Sequence, residues 1–397
     1  MNRFTGEFRK FRDSSWSLTT AVFLLVILGV MFVSSASEAA GESYSGLWRR
    51  HLLRIALGIC FYGFFSLFDY RNLRKAAWGL YALAIALLVL VLMVGKVVNN
   101  AKSWLMIFGF GLQPAEVAKF AVIVLLAAVL SRPNFSVNSA GGLALTVSAG
   151  LLPFILIVIQ PDIGTAAVFI PLTLVMAFAG GVSLRALGYG LGMMLLAVVL
   201  LLSALFLPRK LGMEEETCRR IARYTLLSEY QRDRIVAFFR PEQDPLGVGW
   251  SKMQSKIAVG SGGWTGKGYG KGTQSALGYL PSTVAPTDFI YSVIAEETGF
   301  AGAFAVLLLF GAAAGKGLLI AVNTRNRMGR LLCVGVVTVI FTHVFINTAM
   351  TIGLIPITGL PLPLISYGGT FTVVTMAGLG VIQSVCIYSR RSYGMER

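Results

Sequence analysis

Charge is what this sequence has least of. Only 13% of its 397 residues are Asp, Glu, Lys or Arg, whereas a soluble domain carries about 25%. Hydrophobic residues make up 56% and the mean hydropathy is +0.74. Such a chain cannot cover its apolar surface with polar groups, so the bilayer is its main solvent. Acidic residues are scarcer than basic ones, 18 against 34, which leaves a net charge of +16. In a membrane protein excess Lys and Arg mark cytoplasmic loops first. No nucleic-acid partner is read from them; the remainder is assigned to an anionic substrate.

Histidine is nearly absent. His51 and His343 are the only two, which excludes a histidine-rich metal site and argues against a Ser-His-Asp triad. Cys60, Cys218, Cys333 and Cys386 form no C-x-x-C pair, so neither a disulfide framework nor a zinc site is indicated.

A nucleotide loop is also missing, despite one stretch that imitates it. In "GSGGWTGKGYGKGTQ", Gly260 to Gln274, glycines alternate with other residues around Lys267 and Lys271. A P-loop needs G-x-x-x-x-G-K-[ST]. Gly266-Lys267 has Ser261 upstream and Gly268 downstream; Gly270-Lys271 has Thr265 and Gly272. G-x-G-x-x-G fails too, because Thr265, Lys271, Thr273 and Ser275 fall where the third glycine belongs.

What the sequence has is long apolar runs. A spanning helix takes roughly 20 residues, and about ten candidates centre near Leu25, Tyr62, Ile85, Val124, Gly150, Leu172, Leu195, Phe304, Ile340 and Gly378. The first follows Arg3, Arg9, Lys10 and Arg12 and is too long for a signal h-region of about 7–15 residues, so a retained first span is expected. Alternation puts Arg71, Arg74, Lys75, Arg132, Arg185, Arg325, Arg327, Arg330 and Arg390-Arg391 on the side of the N-terminus. By the positive-inside rule that side is the cytoplasm, with both termini inside. The expectation is one all-α polytopic domain over residues 1–397.

The polar stretch 208–287 interrupts the pattern between the seventh and eighth spans and falls outside. Loops of that length are functional or disordered as a rule. Ile235, Phe238, Phe239, Ile257 and Trp264 supply apolar anchors, so an ordered loop on the outer membrane surface is expected. Two other outer segments break their helices: "QPDIG" at Pro161-Asp162, and "GLIPITGLPLPLISYGGT" with Pro356, Pro361 and Pro363. Irregular backbone at membrane depth survives only buried in protein or lining a watery cavity. Both breaks predict a cavity open to the outer face.

Several motifs together resemble one family. "LQPAEVAKF", "QPDIGTA", "RPEQDPLGVGWSKMQSKIAVGSGGWTGKGYGKGTQSALGYLP", "TDFIYSVIAEETGFAG" and "GLIPITGLPLPLISYGGT" occur in the order found in the SEDS (FtsW/RodA) family of bacterial cell-wall proteins. "QRDRI", "DPLGVGW" and "QSKIA" are closer to the RodA-like elongation branch than to the division branch. The resemblance implies a ten-helix peptidoglycan glycosyltransferase of the bacterial inner membrane. It would polymerise lipid II beside a class B penicillin-binding protein during elongation. Two positions depart from the family pattern. Ser282 stands where a glutamate follows Leu-Pro, and Ser103 where an arginine precedes tryptophan, with Lys102 the nearby cation.

The implied reaction joins a sugar hydroxyl to the anomeric carbon of a second lipid-linked sugar and expels a polyprenyl pyrophosphate. It needs a base, cations for the phosphates and an apolar groove. Asp288, where the outer loop enters the eighth span, reads from the residues alone either as a base or as a helix N-cap. The resemblance implies the catalytic base. Glu116 and Lys119 are i, i+3 at the start of an apolar helix and read as an intrahelical pair or, with Asp162, as a substrate-binding network. Glu296 and Glu297, inside the eighth span, lack an evident partner and read as structural. Lys256, Lys267, Lys271 and the glycine amides are candidates to hold pyrophosphate. Gln254, Ser255 and Gln274 are candidates for the substrate's sugars, and Ser366 for a contact with substrate. His343 and Asn347, i, i+4, read as a hydrogen-bonded interhelical contact. A divalent cation, Mg²⁺ or Mn²⁺, is expected to assist, held by Asp288 and substrate oxygens; no nucleotide is expected. Two rival classes remain: a lipid II flippase, which would be expected to show internal repeats, and a non-catalytic scaffold, which needs neither Asp288 nor the glycine-lysine loop.

Overall fold

The ten apolar runs are all helical in the structure, a computed structural model. It describes residues 13–39, 46–98, 101–107, 110–211, 213, 220, 229–239, 248–281 and 284–394. Arg3, Arg9, Lys10, Arg12, the acidic run Glu214–Glu216, Cys218 and Ser282 lie outside them.

The helices in chain order are α1 (Trp16–Ala39), α2 (Leu47–Leu67), α3 (Leu73–Val94), α4 (Pro114–Leu130), α5 (Ala140–Ile159), α6 (Ile163–Ala167), α7 (Phe169–Ala179), α8 (Leu184–Lys210), α9 (Glu229–Phe239), α10 (Val248–Ser261), α11 (Thr273–Ala276), α12 (Ile290–Asn323), α13 (Arg327–Thr351) and α14 (Thr370–Gly394). Between α3 and α4 lies a small antiparallel sheet of β1 (Lys96–Val98), β2 (Ala101–Ile107) and β3 (Phe110–Leu112). Among the described residues, α1, α2, α3, α5, α8, α12, α13 and α14 are long and apolar enough to cross a membrane. The chain is a multi-pass, all-α membrane protein.

The two remaining apolar runs are shorter for different reasons. α4 has 17 residues, about 26 Å at 1.5 Å per residue. Apolar on every side, it is buried along almost its whole length and packs against α3, α13 and α14, as a helix without a polar face must. α6 and α7 form the apolar stretch Ile163–Ala179, entered through the break at Pro161-Asp162. α8 is the opposite of α4: its apolar window has no buried residue, so lipid is its environment. It also continues through Pro208 to Lys210, slightly beyond the expected start of the loop. The described part of that loop holds α9, α10 and α11.

Two backbone features shape the region that follows α13. Residues 352–369 contain no helix. Within them Gly353 and Gly359 adopt left-handed φ of +81° and +77°, a conformation that glycine tolerates without steric cost. The other break meets this segment directly: a Cβ on Gly164 would overlap the Thr358 carbonyl. The two irregular segments, about two hundred residues apart in sequence, are thus one structure in space.

Candidate active site

Asp288 stands beside this junction. The chain turns over residues 284–289 before α12 begins at Ile290. Phe289 occupies the N-cap position and no side chain makes a capping bond, so Asp288 is not used as a cap. Asp162, by contrast, is one: its Oδ1 accepts from the Thr165 N–H at 3.1 Å and its Oδ2 from Gln113 Nε2 at 3.2 Å.

A Cβ built on Gly359 would lie 3.4 Å from Asp288 Oδ2 and 3.7 Å from Arg234 Nη1. Both charged groups therefore flank the same glycine. Arg234 comes from α9 and donates to the Ile357 carbonyl at 3.2 Å. Burial pushes the Asp288 carboxyl up to about 6; the Arg234 guanidinium and the Thr287 hydroxyl oppose that rise, and the Asp162 carboxylate adds to it. A carboxylate of that basicity is close to the working range of a general base at neutral pH.

The main chain around Asp288 is held from several directions. Asn347 Nδ2 on α13 donates to the Asp288 carbonyl at 2.8 Å and to the Leu360 carbonyl at 2.7 Å. Ser366 Oγ donates to the Thr287 carbonyl at 2.6 Å while accepting from the Leu362 N–H at 2.7 Å. The Tyr367 N–H donates to the Pro286 carbonyl at 2.9 Å. Ser366 is fully buried. In place of the expected contact with substrate, the hydroxyl is engaged by protein partners and holds the chain beside Asp288.

The Glu116–Lys119 pair forms, buried, at 2.8 Å. It also extends further than the sequence indicated. Lys119 Nζ lies 2.8 Å from His343 Nε2, and His343 Nδ1 lies 3.3 Å from the Pro361 carbonyl. With the lysine as donor, Nε2 accepts and the Nδ1–H donates to Pro361. The His343 ring stacks on Phe371, 4.6 Å between centroids. One turn along α13, Asn347 continues the chain to Leu360 and Asp288, so His343 and Asn347 do make the expected hydrogen-bonded contacts. The buried pair and the Asp288 backbone are thus tied by α13 to neighbouring carbonyls of the irregular segment, Pro361 and Leu360.

The glycine-lysine stretch does something else. Lys267 Nζ donates to Glu296 Oε1 at 2.6 Å, and the Thr273 and Gln274 N–H groups donate to the same carboxylate at 2.8 and 3.1 Å. The Lys267 and Gly268 N–H groups bond the carbonyls of Glu296 and Glu297. Ser35 donates to the Glu297 carboxylate, and Tyr269 donates to the Met31 carbonyl at 2.7 Å. Gly299 breaks α12 with φ +67° and ψ −166°, and a Cβ there would strike the backbone at Thr265 and Gly266. The glycines are needed because two backbones touch at this kink.

This answers why a glutamate sits at Glu296 inside a span: the loop's amides and Lys267 satisfy its carboxylate, while Ser35 and the Gly270 backbone reach that of Glu297. Lys267, expected to hold pyrophosphate, is thus engaged by Glu296, and Gln274, expected at the sugars, gives its main-chain N–H to the same carboxylate. Glu296 is eight residues from Asp288, on the order of 12 Å along the helix, and Lys267 with the Thr273 and Gln274 N–H groups is engaged there. Lys271 is exposed on the same loop.

Cations nearer the site come from α10. A Cβ on Gly353 would lie 2.8 Å from Lys256 Cδ and 3.3 Å from Lys252 Cε, which puts both stems over the start of the irregular segment. Lys252 also lies 3.8 Å from the Phe238 ring centroid. Ser255 is buried and bonds Ser292 Oγ at 2.7 Å and the Thr351 carbonyl at 2.8 Å. It fastens α10 to α12 and α13, so its expected contact with sugars is corrected to a packing role. Gln254 is buried beside it. Arg234 and Lys252 were not singled out from sequence; Arg234 lay unmarked among the charges of "QRDRI". At the departures from the family pattern, Lys102 donates to the Leu92 and Met93 carbonyls and closes the end of α3, and Ser103 is buried.

Among the described residues no cluster of three or more His, Cys, Asp and Glu side chains could hold a metal ion.

Comparison with known proteins gives a consistent set of matches. A family model described as "Cell cycle protein", FTSW_RODA_SPOVE, matches residues 15–391. The "Peptidoglycan glycosyltransferase MrdB" of Escherichia coli (strain K12) is 35% identical over 367 residues, covering 91% of this chain and 92% of that protein. A chain solved in work on "Structural coordination of polymerization and crosslinking by a peptidoglycan synthase complex" superposes with a TM-score of 0.75 at 28% identity, covering 95% of this chain and 98% of the other. The crystal structure of the rod shape determining protein RodA of Thermus thermophilus superposes with a TM-score of 0.66 at 26% identity, covering 95% and 97%.

Proposed function

This chain belongs to the FtsW/RodA/SpoVE family, and on that premise we propose how its junction of broken helices carries out polymer synthesis. The protein is a peptidoglycan glycosyltransferase. Its substrate in this proposal is lipid II, and the reaction is an inverting transfer. The Asp288 carboxylate accepts the proton of an acceptor 4-hydroxyl. The oxygen attacks the anomeric carbon of a second lipid-linked sugar from the face opposite its pyrophosphate. The bond from that carbon to the pyrophosphate oxygen breaks, and the pyrophosphate leaves with the electron pair.

The observation that carries this reading is the placing of Asp288 Oδ2 and Arg234 Nη1 against the same glycine, 3.4 and 3.7 Å from a Cβ built on Gly359. A base and a cation at one point of an irregular, helix-free segment are what proton removal and phosphate departure require. Positive charge fixed where negative charge develops is commonly the largest catalytic contribution. Lys252 and Lys256 extend the cationic rim toward the leaving group. Asn347 and Ser366 act through the backbone and keep Asp288 in place. A divalent cation, when bound, would act as a Lewis acid on the pyrophosphate, held by Asp288 and substrate oxygens.

The proposed setting is the bacterial inner membrane, with both termini cytoplasmic and the α9–α11 region outside. There the enzyme works with a class B penicillin-binding protein during elongation. Lipid II polymerisation by the purified protein, with and without that partner, is the test. Glycan strands from wild type and none from Asp288→Asn support the assignment; translocation of lipid II without polymer would favour a flippase.

A further inference from the structure

At the other ends of α12 and α13, a tight connection over residues 324–326 borders a recess of about 490 Å³. It is lined by Val322, Asn323, Thr324, Arg325 and Arg330. Among the described residues the lining is one-sided in charge: two guanidinium groups, two neutral hydrogen-bonding side chains, one aliphatic residue and no carboxylate.

Its depth is set by Val322. This residue is 75% exposed in the last turn of the membrane-crossing α12. An exposed valine there faces acyl chains, while the arginines beside it lie at headgroup level. Nearby groups are committed elsewhere. Arg327 Nη2 donates to the Gly180 carbonyl at 2.6 Å and ties down the turn after α7. Asn326 Oδ1 accepts from the Met328 and Gly329 N–H groups, so the first amides of α13 are satisfied within the chain. Arg330 Nη2 lies 3.4 Å from the Thr324 carbonyl, which fixes its guanidinium on the wall of the recess.

We propose that this recess binds the phosphodiester headgroup of an anionic glycerophospholipid. Paired guanidinium forks match phosphate oxygens in bidentate fashion, and basic pockets between helices on the cytoplasmic side suit anionic headgroups. The cytoplasmic leaflet rests on the orientation proposed above; the recess itself does not. Free phosphate shares the headgroup's charge, but it has no use for the lipid-facing valine. Arginines serving only to orient the chain would need no recess and would be replaceable by lysine.

The test uses the full-length protein taken from nanodiscs of equal phosphatidylglycerol and phosphatidylcholine, with retained lipid counted by native mass spectrometry. Wild type is expected to retain phosphatidylglycerol at least tenfold over phosphatidylcholine. Arg325→Gln with Arg330→Gln loses that preference, whereas Arg185→Gln, removing one charge at another loop, keeps it. Arg325→Lys with Arg330→Lys preserves the charge for insertion and is expected to fall well below wild type. Wild-type retention by either double variant, or equal retention of both lipids, overturns the site. Displacement of the lipid by excess inorganic phosphate alone would assign the recess to free phosphate and overturn the lipid proposal.

Discussion

Asn347 Nδ2 donates to the main-chain carbonyl of Asp288 at 2.8 Å and, with its second hydrogen, to the Leu360 carbonyl. One amide thus fastens the residue proposed as base to the irregular segment that faces it. Asn347→Ala should lower turnover with little change in substrate affinity, because it frees the Asp288 backbone without removing a group that touches substrate. Asn347→Asp presents no donor at neutral pH and should fail similarly. Wild-type turnover in both would reduce Asn347 to interhelical packing.

Asp288→Asn should reduce polymerisation by at least about 10²-fold, the low end of what a positioned base contributes. The same change should raise the melting temperature at neutral pH. The Asp288 carboxyl has a raised pKa, about 6, so its protonated form is favoured by folding. That stabilisation is full below the unfolded value near 4 and is lost as pH climbs through about 6. Asparagine mimics the protonated state, so the gain should vanish at acidic pH. A variant less stable than wild type at every pH would contradict the burial argument.

Turnover should rise with pH to a plateau, with its midpoint near 6, because the base acts only when ionised. Arg234→Ala removes the main group that opposes the rise of this pKa, so the midpoint should move to higher pH. The plateau should fall as well if Arg234 meets the pyrophosphate. A lower plateau with an unmoved midpoint would separate Arg234 from Asp288.

Lys119→Met should impair stability as well as activity. The pair with Glu116 is almost wholly buried, and removing one partner of a buried pair costs about 3–5 kcal/mol because a charge is left uncompensated. Combining it with Glu116→Gln should recover part of that loss. A double variant no more stable than the single one would argue against coupling through the pair.

Glu296→Gln should loosen the glycine-lysine loop. The change removes the charge on which Lys267 and two main-chain N–H groups converge. Amide exchange should quicken over residues 260–274 while the helical spans stay protected. Unchanged exchange would place the loop's order in its other contacts.

EDTA followed by restored Mg²⁺ or Mn²⁺ should lower and then recover polymerisation, with weak metal binding before substrate is added. Full activity in EDTA would leave Asp288 as a base alone and the cationic side chains as the phosphate's stabilisers.

Much of this architecture was legible without coordinates. Long apolar runs with few charges have only one way to satisfy their backbone in lipid, so all ten became helices. Proline and glycine at Pro161 and over residues 353–363 marked the breaks, since neither continues a helix comfortably. The ordered series of motifs identified the family. Asp288, Glu116 and Lys119 were visible because a charge inside or at the mouth of an apolar helix needs a reason to be there.

Partnership was decided by the tertiary structure. Lys267 and Glu296 are 29 residues apart, Arg234 and Asp288 are 54 apart, and Lys119 and His343 are 224 apart. Hydropathy and spacing describe each stretch against its solvent, but they do not say which stretch lies beside it. The glycine-lysine run shows the difference. By composition it suits a phosphate, yet packing set it against a kinked helix carrying two glutamates. A buried carboxylate must be neutralised by whatever donors the fold brings within reach, and here those donors were the loop's own amides and Lys267.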